Sequence, residues 1–148
     1  MAVEIRVLRG GDEAVLARVA THVFDRPIDR ELTSEFLNDP RHHLAVAIDH
    51  GFVVGFASGI NYVHPDKRPE FWVNEVSVAQ THRGRGVGKA LLSALFDVGR
   101  GVGCERAWVL ADKENIPAIR LYSSLGGRAS DQVMFSFDLG AQELERGG

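Results

Sequence analysis

The sequence predicts an α/β (α+β) sandwich: a mixed, mainly antiparallel central sheet flanked by helices, in a single domain. Three observations predict it. Alternating and helical apolar patterns give the order β-α-α-β-β-β-α-β-α-β over 148 residues, a length that fits one domain. The early strands follow one another across short turns, as antiparallel strands do. The unit Phe71–Ala111 reads instead as a parallel β-α-β crossover, which puts helices against the sheet. No repeat, low-complexity tract or linker divides the chain.

Val3, Ile5 and Val7 alternate with Glu4 and Arg6, a strand. Gly10-Gly11 turns the chain and Asp12 is placed to cap a helix, on which Val15, Leu16, Val19, Val23 and Phe24 fall at helical spacing. A second short helix is expected over Arg30–Leu37, stopped by Asn38-Asp39-Pro40. His43–Ile48 and Phe52–Tyr62 are strands joined by a hairpin turn at Asp49-His50-Gly51. His64–Pro69 reads as a polar loop. Phe71–Val78 is a strand, and Gly88–Arg100 a helix with Leu91, Leu92, Leu95 and Val98 on one side, ended by Gly101 and Gly103. Arg106–Ala111 is a strand and Pro117–Leu125 a helix closed by Gly126-Gly127. Val133–Leu139 is a last strand, with Val133, Phe135 and Phe137 alternating against Met134, Ser136 and Asp138.

Composition narrows the function. With 45% hydrophobic and 25% charged residues the chain has the make-up of an ordinary globular protein. A net charge of −3 offers no basic footprint for nucleic acid. No apolar run reaches the ~18–20 residues that span a bilayer, and the N-terminus carries no secretory h-region, so a cytoplasmic location and no membrane partner are expected. The single cysteine, Cys104, excludes an internal disulfide and a cysteine metal cluster. The histidines show no ligand spacing, and no metal is expected.

The segment "NEVSVAQTHRGRGVGKALLSALF", Asn74–Phe96, holds glycines at 84, 86 and 88 where a strand gives way to a helix. A helix N-terminus exposes unpaired N–H groups and about half a positive charge. Glycine lets an anion approach those groups closely, and Arg83, Arg85 and Lys89 add full charges. The spacing fits a phosphate or pyrophosphate. It is not a P-loop: Arg83 stands where that motif needs its first glycine, and Ala90 where it needs a hydroxyl. It is a poor dinucleotide fingerprint, running G-x-G-x-G. A merely tight turn is the plainer alternative.

Arg83-Gly84-Arg85-Gly86-Val87-Gly88 resembles the [QR]-x-x-G-x-[GA] signature of the GNAT superfamily, the acetyl-CoA-dependent N-acetyltransferases. Asn115, Ala118, Leu121-Tyr122 and Leu125-Gly126, in "NIPAIRLYSSLGG", resemble the superfamily's N-x-x-A-x-x-L-Y-x-x-L-G helix. The element order is similar over nearly the whole chain. Within the superfamily, "FWVNEVSVAQTHRGRGVGKALL", Leu110–Asp112 and "FLNDPRHHLAVAIDHGFVVGFASG" are most similar to aminoglycoside 3-N-acetyltransferases, although those carry an aromatic residue where Asn74 stands.

The resemblance implies roles. The amides of Arg83, Gly84, Arg85, Gly86, Val87, Gly88 and Lys89 would hold the acetyl-CoA pyrophosphate. Val76 and Val78 would pair with the pantetheine arm as with an added strand, where the superfamily's sheet splays to admit it. Asn115 and Ala118 would line the far side, although Asn115 is equally suited to cap the Pro117 helix. Tyr122 would protonate the departing thiolate, or else pack under the sheet with Ala118 and Leu125. Glu75 is the candidate base, or a structural ion-pair partner. Strand period places it on the face of Phe71 and Val73 and opposite Val76 and Val78, where burial would raise its pKa. Asp112 at the end of its strand, with Asp25 and Glu70, would draw a polycationic amine substrate. Cys104 is expected away from this centre, which speaks against a thiol relay.

The activity so implied is direct acetyl transfer from acetyl-CoA to a primary amine, an aminoglycoside being the named acceptor. Acetylation of a protein N-terminus, a lysine or a metabolite amine stands beside it, as does a CoA-binding module without catalysis. Homodimers are common in the superfamily, and no residue pattern assigns a partner surface.

Overall fold

The computed structural model describes residues 3–141. Strands β1 (Glu4–Leu8), β2 (His42–Asp49), β3 (Phe52–His64), β4 (Lys67–Val78) and β5 (Ala107–Trp108) form one sheet in that order. The first three junctions are antiparallel and β4–β5 is parallel. Helices α1 (Arg30–Asn38), α2 (Val87–Gly101) and α3 (Ile116–Ser124) complete the expected mixed sandwich. None of the helices in the described residues is long and apolar enough to cross a membrane.

The helix α2 forms because Leu91, Leu92 and Leu95 recur on one stripe and are wholly buried against the sheet. The opposite face is covered by the chain after β1. There Phe24 stacks on Phe56 at 4.1 Å, and Ser77 Oγ donates to the Val23 carbonyl at 2.7 Å. Asp29 starts α1 by accepting the Leu32 N–H at 2.8 Å. The β2–β3 hairpin turns on His50 and Gly51, both at positive φ, as a two-residue turn requires.

Four expectations are corrected. The first is the helix from Asp12 to Phe24, which reduces to a 3-10 turn, Glu13–Ala17. Asp12 bonds back to the Arg9 N–H, and the chain then runs extended. Val53 explains this: β4 stops at Val78, opposite Gly55, so the free edge at Val53 bonds Arg18 and Ala20 instead. The second is the loop His64–Pro69. β3 and β4 pair as far as His64 and Lys67, and Pro69 sits at a register irregularity, where its missing N–H is tolerated.

The third is the strand Arg106–Ala111, of which only Ala107–Trp108 pairs. The fourth is the strand Val133–Leu139. Residues 133–138 form no regular element, Leu139 opens a 3-10 turn, and Val133, Met134, Phe135, Phe137 and Leu139 are 72–81% exposed. Burying such a side chain stabilises by about 1.5–3 kcal/mol, so five left in water forgo much of what this segment is built to gain. Its sequence has strand character, but no edge of this sheet lies against it.

Candidate active site

One residue sets the geometry. Along β3 and β4 the register shifts between Ser58 and Gly59: Gly59 faces Val73 and Ser58 faces Glu75, which leaves Asn74 without a partner. This is a β-bulge, which bends a strand and breaks its alternation. The parallel ladder to β5 stops at Trp72 and Trp108, two residues before it. From Val73 to Val78 that edge of β4 has no strand beside it among the described residues, and at its end the Val78 carbonyl accepts from Arg83 Nε.

The bulge also corrects the expected faces. Phe71 lies beside Gly99 of α2, and Val78 beside Gly88, so both point to the α2 side. Val76 and Val73 share that side by register. Glu75 does not: with Ser77 it points to the other face, where Ser77 meets Val23 and the Asp25 carboxylate acts on Glu75. Glu75 is therefore opposite Val76 and Val78, as expected, but also opposite Phe71 and Val73. The phase change aligns it instead with Glu70 and Trp72. Partial burial, and then the Asp25 charge, hold the Glu75 carboxyl above its ordinary range although it remains open to solvent.

The glycine loop leaves open space before an uncapped helix end. Gly84 and Gly86 have φ of +75° and +80°, and a Cβ on either would meet nothing within 4 Å. Gly86 is the N-cap of α2 and no side chain caps that end, unlike α1 and α3. The Ala90 N–H takes the Gly86 carbonyl at 3.0 Å, so the N–H groups of Val87–Lys89 precede the helical ladder. Behind the loop, Ala79 bonds Val54 at 2.7 Å and His82 Nε2 bonds Asp49 at 2.7 Å, tying it to the β2–β3 turn. Arg83 Nε donates to the Val78 carbonyl at 3.0 Å, so it is engaged with the strand end. Lys89 is exposed.

Asn115 caps α3: its Oδ1 accepts the Ala118 N–H at 3.2 Å. Leu121 from the same helix reaches Gly88, docking α3 beside the start of α2. Tyr122 is half-buried and lines a cavity of about 300 Å³ with Phe71, Val73, Phe96, Trp108 and Val109. Burial raises its pKa. Cys104 is on the wall of that same cavity, which corrects the expectation that it lies apart. Burial, and then the Glu70 charge, push its thiol up, so thiolate is disfavoured there. Asp112 is exposed in the coil beyond β5, its carbonyl taken by the Asn115 N–H. Asp25 is exposed on the rim of a second cavity. No group of three His, Cys, Asp or Glu among the described residues converges as metal ligands would.

Three aromatic residues escaped the sequence reading. Trp72 and Trp108 pack at 4.2 Å across the last β4–β5 pair. Tyr62 donates its hydroxyl to Glu70 at 2.7 Å. Together they form an aromatic surface with a carboxylate on the Glu75 side of β4. Alternation carries Glu70 and Trp72 to one face in the sequence, but the bulge that adds Glu75 has no Gly or Pro beside it on β4, and its sign lies across the ladder at Gly59 of β3. His82, the anchor of the loop, carried no signal beyond its place before Arg83.

Residues 14–126 match the family model described as the acetyltransferase (GNAT) family. The chain is 33% identical over 88 residues to the streptothricin acetyltransferase of Streptomyces lavendulae, covering 60% of this chain and 44% of that protein. It is 32% identical over 126 residues to the N-alpha-acetyltransferase RimI of Mycobacterium tuberculosis, covering 84% and 77%. The chain spans about half the length of curated relatives such as the streptothricin enzyme. Among solved structures it resembles an aminoglycoside acetyltransferase, HMB0005, from an uncultured soil metagenomic sample. That likeness has a TM-score of 0.81 at 24% identity, over 94% of this chain and 99% of that one, and it speaks to the fold.

Proposed function

Because the chain belongs to the GNAT acetyltransferase family, we propose that it transfers the acetyl group of acetyl-CoA directly to a primary amine of a small polycationic acceptor. An aminoglycoside is the leading candidate, and its 3-amine the narrower one. The observation that carries this is the bulge at Asn74. It leaves the edge of Val73–Val78 open toward the uncapped end of α2, while Glu70, Trp72 and Glu75 are presented on the opposite face. One strand thus divides a donor side from an acceptor side.

The residues divide the work. The amides of Arg83–Lys89 hold the pyrophosphate, and Val76 and Val78 hydrogen-bond the pantetheine arm along the open edge. Asn115, beyond capping α3, sets the helix that carries Ala118 and Tyr122 against that arm. The acceptor arrives as an ammonium. Its charge is met by Asp25, Glu70, Asp112 and Glu75, and by the faces of Trp72 and Trp108, a cation–π contribution of about 0.5–2 kcal/mol. An alkylamine with a pKa near ~10.4 is neutral in only about one molecule per thousand at pH 7, so it must be deprotonated before attack. Glu75, with its raised pKa, takes that proton directly or through a water. Tyr122 gives its proton to the departing CoA sulfur. Its own raised pKa makes placement rather than acidity its contribution.

The second reading is acetylation of a protein N-terminus, favoured by the 32% identity to RimI across 84% of this chain. An acceptor panel separates the two. Thiol release with acetyl-CoA is measured on gentamicin, spermidine, lysine and a peptide with a free N-terminus, and products are mapped by mass spectrometry. Turnover on the aminoglycoside with the label on the 3-amine supports the full proposal. Turnover on the peptide alone favours the second reading. CoA binding with no transfer to any amine leaves a binding module.

A further inference from the structure

Two ties fix the approach to the glycine loop, and both come from the turn end of the β2–β3 hairpin. The first is backbone. One step past the last β3–β4 pair, Gly55 with Val78, the Val54 carbonyl accepts the Ala79 N–H at 2.7 Å. The second joins side chains 33 residues apart. Asp49, the last residue of β2, receives His82 Nε2 on Oδ2 at 2.7 Å, and His50 Nδ1 lies 2.8 Å from Oδ1. The Asp49 and His82 side chains are only 17% and 14% exposed. A carboxylate only accepts, so Nε2 carries the proton in this pair. Thr81 Oγ1, 2.8 Å from Nδ1, holds the other side of the ring. The His82 hydrogen bond is the largest influence on the Asp49 carboxyl and draws it below its ordinary range against the effect of burial, and His50 adds to it.

The place of this pair gives it a consequence. Gln80–His82 form a 3-10 turn in which the His82 N–H bonds the Ala79 carbonyl at 2.8 Å. Beyond His82 the chain enters Gly84 and Gly86, at φ +75° and +80°, and a Cβ on either would meet nothing within 4 Å. Glycines that nothing packs against are free to leave any one conformation. Ordering them at the moment of binding costs affinity, and bracing them beforehand removes that cost. His82 is the side chain nearest to them on the strand side that is held by a buried partner from another element.

We propose that His82 and Asp49 are positioning residues for the donor: their hydrogen bond keeps the Gly84–Gly86 segment in the shape that receives an anion, and so sets the affinity for CoA. The inference rests on the reading that this loop takes the pyrophosphate of acetyl-CoA. It adds that donor affinity is governed from the β2–β3 turn, which carries neither of the two motifs found in the sequence.

Calorimetric titration of the full chain with CoA, well below its melting temperature, tests this. His82→Ala and Asp49→Ala should each raise Kd about tenfold, the loss expected for one hydrogen bond to a charged group. The double variant should be no weaker than either single one, because both remove the same bond. His82→Gln, whose amide nitrogen can donate to Asp49, should recover most of the affinity. Asp29→Ala removes the cap of α1, which lowers stability without touching the loop, and should bind CoA as the native chain does. Native affinity in folded His82→Ala, additive losses in the double variant, no recovery with His82→Gln, or an equal loss in Asp29→Ala overturns the proposal. If the alanine variants do not fold, His82→Phe keeps a ring and loses the donor, and native affinity there overturns it. The proposal falls alone if the native chain binds CoA, Gly86→Ala weakens that binding and His82→Ala does not. A native chain that does not bind CoA removes the loop reading and this inference together.

Discussion

Gly86→Ala separates what the glycine loop costs from what it does. Gly86 sits at φ +80° as the N-cap of α2, and a Cβ there meets no atom within 4 Å. No steric clash is created, so the folding penalty is conformational. An L-residue in the left-handed region costs about 1–2 kcal/mol, which lowers the melting temperature by roughly 2–8 °C for a chain of this size. Ligand binding should suffer more. The methyl group would crowd an anion held at this loop, and losing one hydrogen bond to a charged group costs about 1.5–3 kcal/mol, roughly ten- to a hundredfold in Kd. The matched control is Gly103→Ala. Gly103 has φ +91° and lies past the other end of α2, with only Pro69 as near as 4.0 Å. Calorimetric titration with CoA and a thermal melt should show both variants destabilised alike and only Gly86→Ala weakened for CoA. Equal CoA affinity in the two would refute the assignment of the loop to the pyrophosphate.

Glu75→Gln should lower turnover by about 10²–10⁴-fold and remove the acid limb of the pH–kcat/KM profile, which for the native chain lies above the usual carboxylate range. The folded chain binds the Glu75 proton more tightly than the unfolded one, so stability is lost as pH rises through that raised pKa. The variant should therefore melt no lower than the native chain at neutral pH; a clear drop would mean that Glu75 is a structural anion. Tyr122→Phe should reduce kcat with CoA affinity held within about twofold; unchanged kcat removes it as the acid. Gly59→Ala should cost about 1–3 kcal/mol by overpacking, because the new Cβ falls 2.8 Å from Phe71 Cζ and 2.9 Å from the Trp72 carbonyl. An unaltered melt would show that β3 and β4 can separate there.

The elements that local chemistry dictates were legible. The α2 leucines, the Asn115 cap and the His50-Gly51 turn stand where period and propensity place them. The failures come from partners that no local pattern contains. Val15–Phe24 has helical spacing, but the free Val53 edge competes for its backbone. Val133–Leu139 alternates as a strand should, and whether it pairs depends on an edge elsewhere. At the candidate site, motif chemistry and the resemblance singled out the glycine loop and Tyr122, and the structure puts the loop at the uncapped start of α2 and Tyr122 on the cavity wall. The Trp72–Trp108 pair and the true face of Glu75 were not singled out, because both follow from the register between two strands. Strict alternation assigned Glu75 to the wrong companions by one step of phase.

That step has an evolutionary corollary. On β4 the alternation restarts at Asn74, so under the proposed roles substitutions at 70, 72 and 75 would alter the acceptor face while 73, 76 and 78 would leave the donor face unchanged. A lineage can retarget its chemistry without relearning its fuel. Excising Asn74 alone would restore strict alternation with Val73 and Val76 still on the α2 side and Glu75 still on the face of Glu70 and Trp72, so it would remove the bend and leave the two faces as they are.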